Sequence, residues 1–270
     1  GSNGVTKYRL AHTINDGTST TAAVTVTSPL VTLLPSETWQ PPPADMHSII
    51  AIANRMLAGI SKNDVYISAA GMPHAWVNNL PLDFVGVGLG TFGSTLVAMT
   101  QGHPYIITGS SPASMSAQKV SINQACTSKR GIASMTDGVL YPSPDGMVFI
   151  GSSGFKIITD SIMTRDDWQA LNPSSIVGAV HDGRYYGFYD TGTVQGGFII
   201  DIEAETFSYI DTYATAAFSD LLNDGLYLQV GNNIEQWDAG TGNMSWTWES
   251  TDSFTPRPLN FTFARVNGED

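Results

Sequence analysis

Short apolar runs alternate with small polar turns along most of the chain. Each copy of this pattern has an apolar run, a turn rich in Asn, Asp or Gly, a second apolar run and then a third. The first clear copy joins Ile49–Asn54 to Arg55–Ile60, and the fourth runs from Ile176 to Tyr186 through Asp182 and Gly183. Asn, Asp and Gly tolerate the positive φ angles of tight hairpins. The pattern therefore predicts repeated β-hairpins, each extended by a third strand.

The predicted turns recur at a nearly constant spacing. Asn54, Phe92, Asp137, Asp182 and Asp224 mark them, at intervals of 38, 45, 45 and 42 residues. An interval of about 40–45 residues is typical of the four-stranded blades of a propeller. Stacking such sheets around an axis covers both apolar faces of each one. We therefore predict an all-β protein with a β-propeller of five or six blades. The alternative, a Greek-key β-sandwich, does not predict a repeated interval.

The two ends of the chain depart from the repeat. Residues 1–40 are interpreted as extra β-strands that end a preceding small domain, followed by a Pro-rich linker. Residues 41–250 form the predicted propeller, and 251–270 form a strand-like exit segment toward a further region. Strands over Ala22–Val26 and Leu259–Val266 are candidates to complete a sixth blade.

One segment predicts a short helix between blades. Thr164 stands where a helix N-cap is expected, and Asp166 and Asp167 follow in the first turn, where acidic side chains are favourable. Asn172-Pro173 then ends the helix. Successive helical residues point in different directions, so the two carboxylates are interpreted as capping groups and not as an acid–base pair.

Charge and cysteine content exclude several classes of protein. The net charge of −12, from 12 basic and 24 acidic residues, argues against attraction to a phosphate backbone. It remains compatible with a wall past which DNA slides without binding. Cys126 is the single cysteine, which excludes a disulfide within the chain and predicts a buried, inert thiol.

The residue pattern predicts no catalytic, cofactor or metal site. The five histidines lie too far apart in sequence to form a local metal pair: His12, His47, His74, His103 and His181. The Asp-Gly turns lack the closely spaced oxygen ligands of a calcium loop. Neither a Gly-x-Ser-x-Gly nucleophile motif nor a Walker phosphate loop occurs. We therefore predict a protein that is not an enzyme.

Two clusters are candidates for contacts with partners. Lys129 and Arg130 form the tightest basic cluster of this acidic chain, and they are predicted to contact an anion or a neighbouring subunit. The alternative is a solvated strand start. Tyr185, Tyr186 and Tyr189 are candidate aromatics for a glycan or a partner. Their alternation also fits packing between adjacent blades, with Tyr185 and Tyr189 on one face and Tyr186 on the other.

Several segments, in order along residues 40–265, carry a resemblance to a known family. They are Gly102–Tyr105, Gly109–Ser116, Ser128–Gly131, Tyr141–Gly146, Thr164–Pro173 and His181–Tyr186. With these segments the sequence resembles virion structural proteins of tailed bacteriophages and prophages. Within that group it resembles the tail nozzle, or tail tubular protein B-like, β-propeller family.

The resemblance implies a structural role. It implies a β-propeller module in a ring of identical subunits, six being the expected number, at the distal end of a phage tail. Other tail proteins would be its neighbours, and DNA would pass without specific binding. It also implies no small-molecule substrate, no cofactor, and a location in the virion after synthesis in the bacterial host cytoplasm. The alternative left open is a carbohydrate- or receptor-binding propeller of a virion.

Overall fold

The computed structural model describes residues 39–240, together with Thr18, Thr21, Ala23, Gly242 and Thr247. The chain divides into two compact units, residues 1–237 and 238–270. All the sheets of the described residues lie in the first unit.

Five antiparallel sheets follow one another along residues 47–236. The first sheet contains β1 (His47–Ile52), β2 (Met56–Ser61), β3 (Asp64–Ala69) and β4 (Met72–Pro81). The second contains β5 (Gly86–Phe92), β6 (Thr95–Thr100), β7 (Tyr105–Thr108) and β8 (Ser116–Lys119). The third contains β9 (Ala133–Ser134), β10 (Gly138–Pro142), β11 (Met147–Gly151) and β12 (Gly154–Ile157).

The last two sheets differ in strand number. The fourth contains β13 (Val177–His181), β14 (Arg184–Asp190), β15 (Gln195–Asp201) and β16 (Thr206–Ile210). The fifth contains β17 (Ala216–Asp220), β18 (Gly225–Val230) and β19 (Asn233–Gln236). Helix α1 (Arg165–Ala170) lies between the third and fourth sheets in the chain. Short 3-10 turns occur at Ala53–Arg55, Pro112–Ser114, Lys129–Gly131, Ile158–Ser161 and Pro173–Ser175.

The sheets are arranged as the blades of a propeller. Within each sheet every strand pairs with its neighbour in sequence. Between sheets, the first strands contact one another in the order β1, β5, β9, β13 and β17, so they surround a common axis. The predicted all-β propeller is confirmed, with five sheets among the described residues.

The core is divided into layers between successive sheets, because each sheet has two faces to cover. Four such layers pack consecutive sheets together. The layer between the first and second sheets includes Met56, Ile60 and Leu96, and the layer between the second and third includes Val97, Tyr141 and Ile150. The layer between the third and fourth sheets includes Leu140, Trp168, Tyr185 and Phe198, and the layer between the fourth and fifth includes Tyr186, Phe188 and Leu228.

The hairpin turns have the backbone geometry that their sequences predict. Asp182 and Gly183, between β13 and β14, both have positive φ angles, of 47° and 71°. Asn54 and Arg55, between β1 and β2, are similar at 59° and 58°. Paired positive φ angles match the twist of the flanking strands; Asp182 and Gly183 close a two-residue hairpin, and Asn54 and Arg55 are part of a three-residue loop that begins at Ala53.

Helix α1 begins and ends as predicted. The Thr164 hydroxyl accepts a hydrogen bond from the backbone N–H of Asp167 at 3.2 Å. The Trp168 side chain is fully buried, and its indole N–H donates to the Ser143 carbonyl at 2.8 Å. The helix thus anchors one face of the third sheet. Within residues 39–240, no helix has the length and apolar character needed to cross a membrane.

The sequence predicted three strands of each sheet and missed the fourth strand of the first four sheets. The third apolar run predicted in each copy is present as β3, β7, β11, β15 and β19, whereas the outer strands β4, β8, β12 and β16 were not predicted. The proposed extra strands at 22–26 and 259–266, and the exit segment 251–270, lie outside the described residues except for Ala23, which is exposed and in no strand.

Candidate functional site

The segments that lead into the inner strands converge at one end of the propeller axis. A Cβ atom on Gly88 of β5 would lie 3.5 Å from the Ser48 Oγ and 2.4 Å from the Ile132 Cδ1. The starts of β1 and β9 therefore meet across β5. The name axial mouth is used below for His47, Ser48, Lys129, Arg130 and Thr215.

The turn that carries Lys129 and Arg130 is held by buried hydrogen bonds to the fourth sheet. The Ser128 hydroxyl donates to the Ile176 carbonyl at 2.6 Å. The Tyr185 hydroxyl donates to the Gly131 carbonyl at 2.8 Å. Both donors are buried, so water does not compete for these bonds. The turn is therefore a fixed platform.

The two basic side chains reach in opposite directions from this platform. The Arg130 guanidinium donates to the Thr215 carbonyl, at the start of the fifth sheet. Lys129 lies toward the first sheet, because its positive charge helps to lower the pKa of His47. Partial burial of the imidazole is the larger cause of this lowered pKa, and the negative charge of Asp45 opposes it. The sequence could not show that residues so distant along the chain meet here.

Lys129 and Arg130 are exposed, and no ion pair formed among the described residues includes either of them. The nearby Asp45 carboxylate accepts a hydrogen bond from the Ser61 hydroxyl at 2.7 Å. The axial mouth therefore carries two exposed cations, with the negative charge of Asp45 near His47. The prediction that Lys129 and Arg130 contact an anion or another subunit remains a prediction.

Two of the three candidate tyrosines, Tyr185 and Tyr186, lie in the core, which corrects their interpretation as contact residues, while Tyr189 is half-buried. Tyr185 and Tyr186 are buried, so they cannot stack on a glycan or a partner. Tyr185 and Tyr189 face the third sheet with Phe198, while Tyr186 packs toward the fifth sheet. The alternation of these residues reflects packing between blades.

The fifth sheet has an apolar face that no described residue covers. Leu226 and Leu228 point into the layer shared with the fourth sheet. On the opposite face Phe218 is 66% exposed and Ile234 79% exposed, with Tyr227 between their strands. These side chains line a groove of about 600 Å³. The name open face is used below for Phe218, Tyr227 and Ile234.

The hairpin tip beside the open face is also apolar. Leu221 and Leu222 are 91% and 90% exposed. The corresponding tip of the first sheet carries Asn54 and Arg55, and that of the fourth carries Asp182 and Gly183. Two leucines at a hairpin tip were a signal in the sequence for a contact surface, and sequence reasoning passed over it.

Cys126 is unsuited to nucleophilic chemistry. The side chain is buried, and burial raises the pKa of its thiol to about 12. The thiol donates to the Ser128 carbonyl at 3.4 Å, directly beneath the basic turn. A thiol that stays protonated is a poor nucleophile, so Cys126 packs as a small apolar residue.

The described histidines lie apart from one another. His74 contacts the Trp39 ring at 5.3 Å, and the His103 Nδ1 lies 2.7 Å from the Ile122 carbonyl oxygen. His181 lies against Tyr186. Within residues 39–240, no three His, Cys, Asp or Glu side chains are grouped so as to hold a metal ion.

Comparisons with known proteins bear on the fold. No family model matches the sequence, and no curated protein matches it. Among solved structures, the extracellular domain of BT4673 from B. thetaiotaomicron is similar, with a TM-score of 0.50 and 12% identity over 72% of this chain. BamB from Moraxella catarrhalis has a TM-score of 0.43 and 12% identity over 70% of this chain.

Both similar structures are β-propellers, and both are longer than this chain. The chain spans 27% of the BT4673 domain and 59% of BamB. At this identity the likeness to BT4673 shows the fold alone. The function of this chain must therefore be argued from its own residues.

Proposed function

We propose that this chain is a non-enzymatic structural component of a phage tail, a nozzle-like propeller that assembles with identical subunits into a ring through which DNA passes. The single observation that carries the proposal is the open face of the fifth sheet. Together with the resemblance of residues 40–265 to tail nozzle proteins, it favours a module built to pack against other proteins.

The open face supports assembly because of its apolar character and position. Large exposed apolar patches mark interaction sites in soluble proteins. Phe218 and Ile234 lie on adjacent parts of one sheet, and Leu221 and Leu222 extend the surface at the hairpin tip. Rings are built from heterologous contacts that close, and a rigid propeller is suited to carry both surfaces of such a contact.

The charge of the chain supports the proposed passage of DNA. Neutralisation of phosphates by Lys and Arg creates most nonspecific affinity for DNA. With a net charge of −12, this chain offers little of that affinity. A conduit with such walls would let a duplex move without retaining it.

The carbohydrate-binding alternative loses two of the three tyrosines on which it rested, and the third, Tyr189, is half-buried and stacks on Phe198. Tyr185 and Tyr186 are buried between sheets and offer no surface for stacking on a sugar ring. No second function is therefore proposed.

Quantitative peptide mass spectrometry on purified phage particles from the source strain tests the proposal. The diagnostic peptide is the tryptic fragment from Asp166 to Arg184, which has no internal Lys or Arg. We expect it at a few copies per particle, in a fixed ratio to a known tail protein, and that ratio gives the size of the ring. Absence of the peptide from infectious particles would overturn the proposal.

A further inference from the structure

We propose that the ring contact joins the open face of one subunit to the outer face of the first sheet in the next subunit. The name first-sheet face is used below for Ile49, Leu57 and Tyr66. The inference rests on the proposed function, because it names the second of the two surfaces that a closing heterologous contact requires. Three features support it: the order in which the sheets pack, the apolar character of the two faces and the charges beside them.

Each end of the series of five sheets lacks a neighbour. Buried layers join the first sheet to the second and each later sheet to the one before it, up to the fifth. Among the described residues, the first sheet therefore has no preceding sheet and the fifth sheet has no following sheet. A face that receives a following sheet is complementary to one that receives a preceding sheet. Every copy of the chain carries both faces, so a second copy can supply the sheet that each face lacks.

The first-sheet face points away from the second sheet. Ala58 of β2 belongs to the layer shared with the second sheet, so the adjacent Gly59 points to the opposite side. A Cβ atom on Gly59 would lie 3.5 Å from the Cγ1 of Ile49, which places Ile49 on this side. Tyr66 pairs with Gly59, and Leu57 lies two residues before it, so both share the same side.

The first-sheet face and the open face are both apolar, and no buried layer of residues 39–240 includes the side chains of the first-sheet face. Ile49 is 57% exposed, and Leu57 and Tyr66 are half-buried. Sheets that pack face to face lie about 10 Å apart, and their side chains interdigitate. The side chains of the first-sheet face would therefore fill the groove of about 600 Å³ beside Phe218 and Ile234.

The hairpin tips of the two sheets would meet in such a contact. Cβ atoms on Gly88 and Gly90 of β5 would contact Ile132 and Ser134 of β9, so the first strands of these successive sheets run in the same direction. The hairpin tips between first and second strands therefore lie at the same end of successive sheets. A first sheet that follows the fifth in the same manner places the β1–β2 tip beside the β17–β18 tip.

The charges at these two tips are complementary. Arg55 lies at the β1–β2 tip and Asp224 at the β17–β18 tip; both are exposed, and neither forms an ion pair with a described residue. Successive sheets within the chain already use such a pair, since Lys156 of the third sheet binds Glu205 of the fourth. Arg55 of one subunit would therefore approach Asp224 of the next, which fixes the alignment of the two faces.

Sedimentation velocity over a range of concentrations tests the contact. We expect the wild type to self-associate, and Ile49→Ser to increase the apparent dissociation constant about tenfold, because an apolar side chain is lost from the contact. Ile49 is 57% exposed in the single chain, so this change should leave the fold intact. Val194→Ser is the matched control: Val194 is 56% exposed, but it lies in the turn between β14 and β15, on a sheet covered on both faces.

A reversal of the two tip charges tests the alignment. Arg55→Asp and Asp224→Arg should each increase the apparent dissociation constant about fivefold, since each places like charges opposite one another. A chain that carries both changes restores opposite charges across the contact and should associate about as the wild type does. A double variant as weak as the single variants would overturn the proposed alignment.

Mixing two variants distinguishes this contact from one in which two open faces meet. Ile49→Ser keeps its open face and Ile234→Ser keeps its first-sheet face, so we expect each to self-associate poorly and their mixture to form a one-to-one complex. A wild type that stays monomeric would overturn the inference and leave another tail protein, or further residues of the same chain, to cover the two faces. Self-association that is lost in Ile234→Ser but retained in Ile49→Ser would also overturn it, while the open face would remain the subunit contact of the proposed function.

Discussion

The fourth and fifth sheets come from the same hairpin repeat, yet they are covered differently. In the fourth sheet, Tyr185 and Phe198 pack toward the third sheet, and Tyr186 and Phe188 pack toward the fifth. In the fifth sheet, Leu226 and Leu228 are buried on one side, while Phe218 on the other side is 66% exposed. Whether an aromatic residue on a strand is buried or exposed therefore depends on whether another sheet packs against its face.

The hairpin repeat therefore determines that each segment folds as a sheet, whereas the packing between sheets determines which side chains are buried. A sheet between two others gains stability from both faces. The fifth sheet, the last among the described residues, has one apolar face that no described residue covers. Substitutions matched between the two sheets should therefore differ in cost, although the residue types are the same.

The largest difference is expected for a buried and an exposed phenylalanine. Phe198 has no exposed surface and stacks with Tyr185, Tyr189 and Phe207. Phe198→Ala should lower the free energy of unfolding by about 3–5 kcal/mol, because it leaves a cavity between two sheets. Phe218→Ala should change it by less than about 0.5 kcal/mol. Urea unfolding of both variants measures the contrast, and equal losses would show that Phe218 is covered in solution.

A smaller contrast is expected for two strand glycines. A Cβ atom on Gly187 would lie 2.3 Å from the Cζ of Phe198, whose ring has no space to move. Gly187→Ala should therefore cost about 1–3 kcal/mol through overpacking. A Cβ atom on Gly225 of the fifth sheet would lie 3.2 Å from the Cε2 of Tyr227, whose side chain is only half-buried. Gly225→Ala should stay within about 0.5 kcal/mol in the same urea assay.

Next in size is the loss of one buried hydroxyl. Tyr185→Phe removes the donor to the Gly131 carbonyl and should cost about 1–2 kcal/mol, because that acceptor is left without its partner. Tyr227→Phe, on the open face, should be neutral within about 0.5 kcal/mol. Thermal unfolding measures both. If Tyr185→Phe is also neutral, the basic turn is held by Ser128 and not by the tyrosine.

Much of this fold was predictable because its signal is local. The interval between Asn54, Asp137 and Asp182 reflects turn chemistry, and alternation located the inner strands. The outer strands were missed for a physical reason. β12 and β16 are short and mostly exposed, so they carry little of the hydrophobic alternation that marks a strand.

The candidate sites were less predictable because they depend on contacts between distant segments. Lys129 and Arg130 were recognised as a basic cluster, but their position at the axis follows from the packing of sheets. Tyr185 looked like a surface aromatic since residue type does not reveal which strands are covered on both faces. The open face was missed because Phe218 and Ile234 have the same alternation as core residues.

The smallest effect on stability, and the most direct test of the fifth sheet's role, is expected for Ile234→Ser. Ile234 is 79% exposed, so the free energy of unfolding should change by less than about 0.5 kcal/mol. If the open face packs against another subunit, the same change should weaken self-association, measured by analytical ultracentrifugation over a range of concentrations. Asn233→Ser, one residue earlier on the same strand but on the opposite face, is the control and should leave association unchanged. Unaltered self-association of the Ile234 variant would exclude the open face as the contact between subunits.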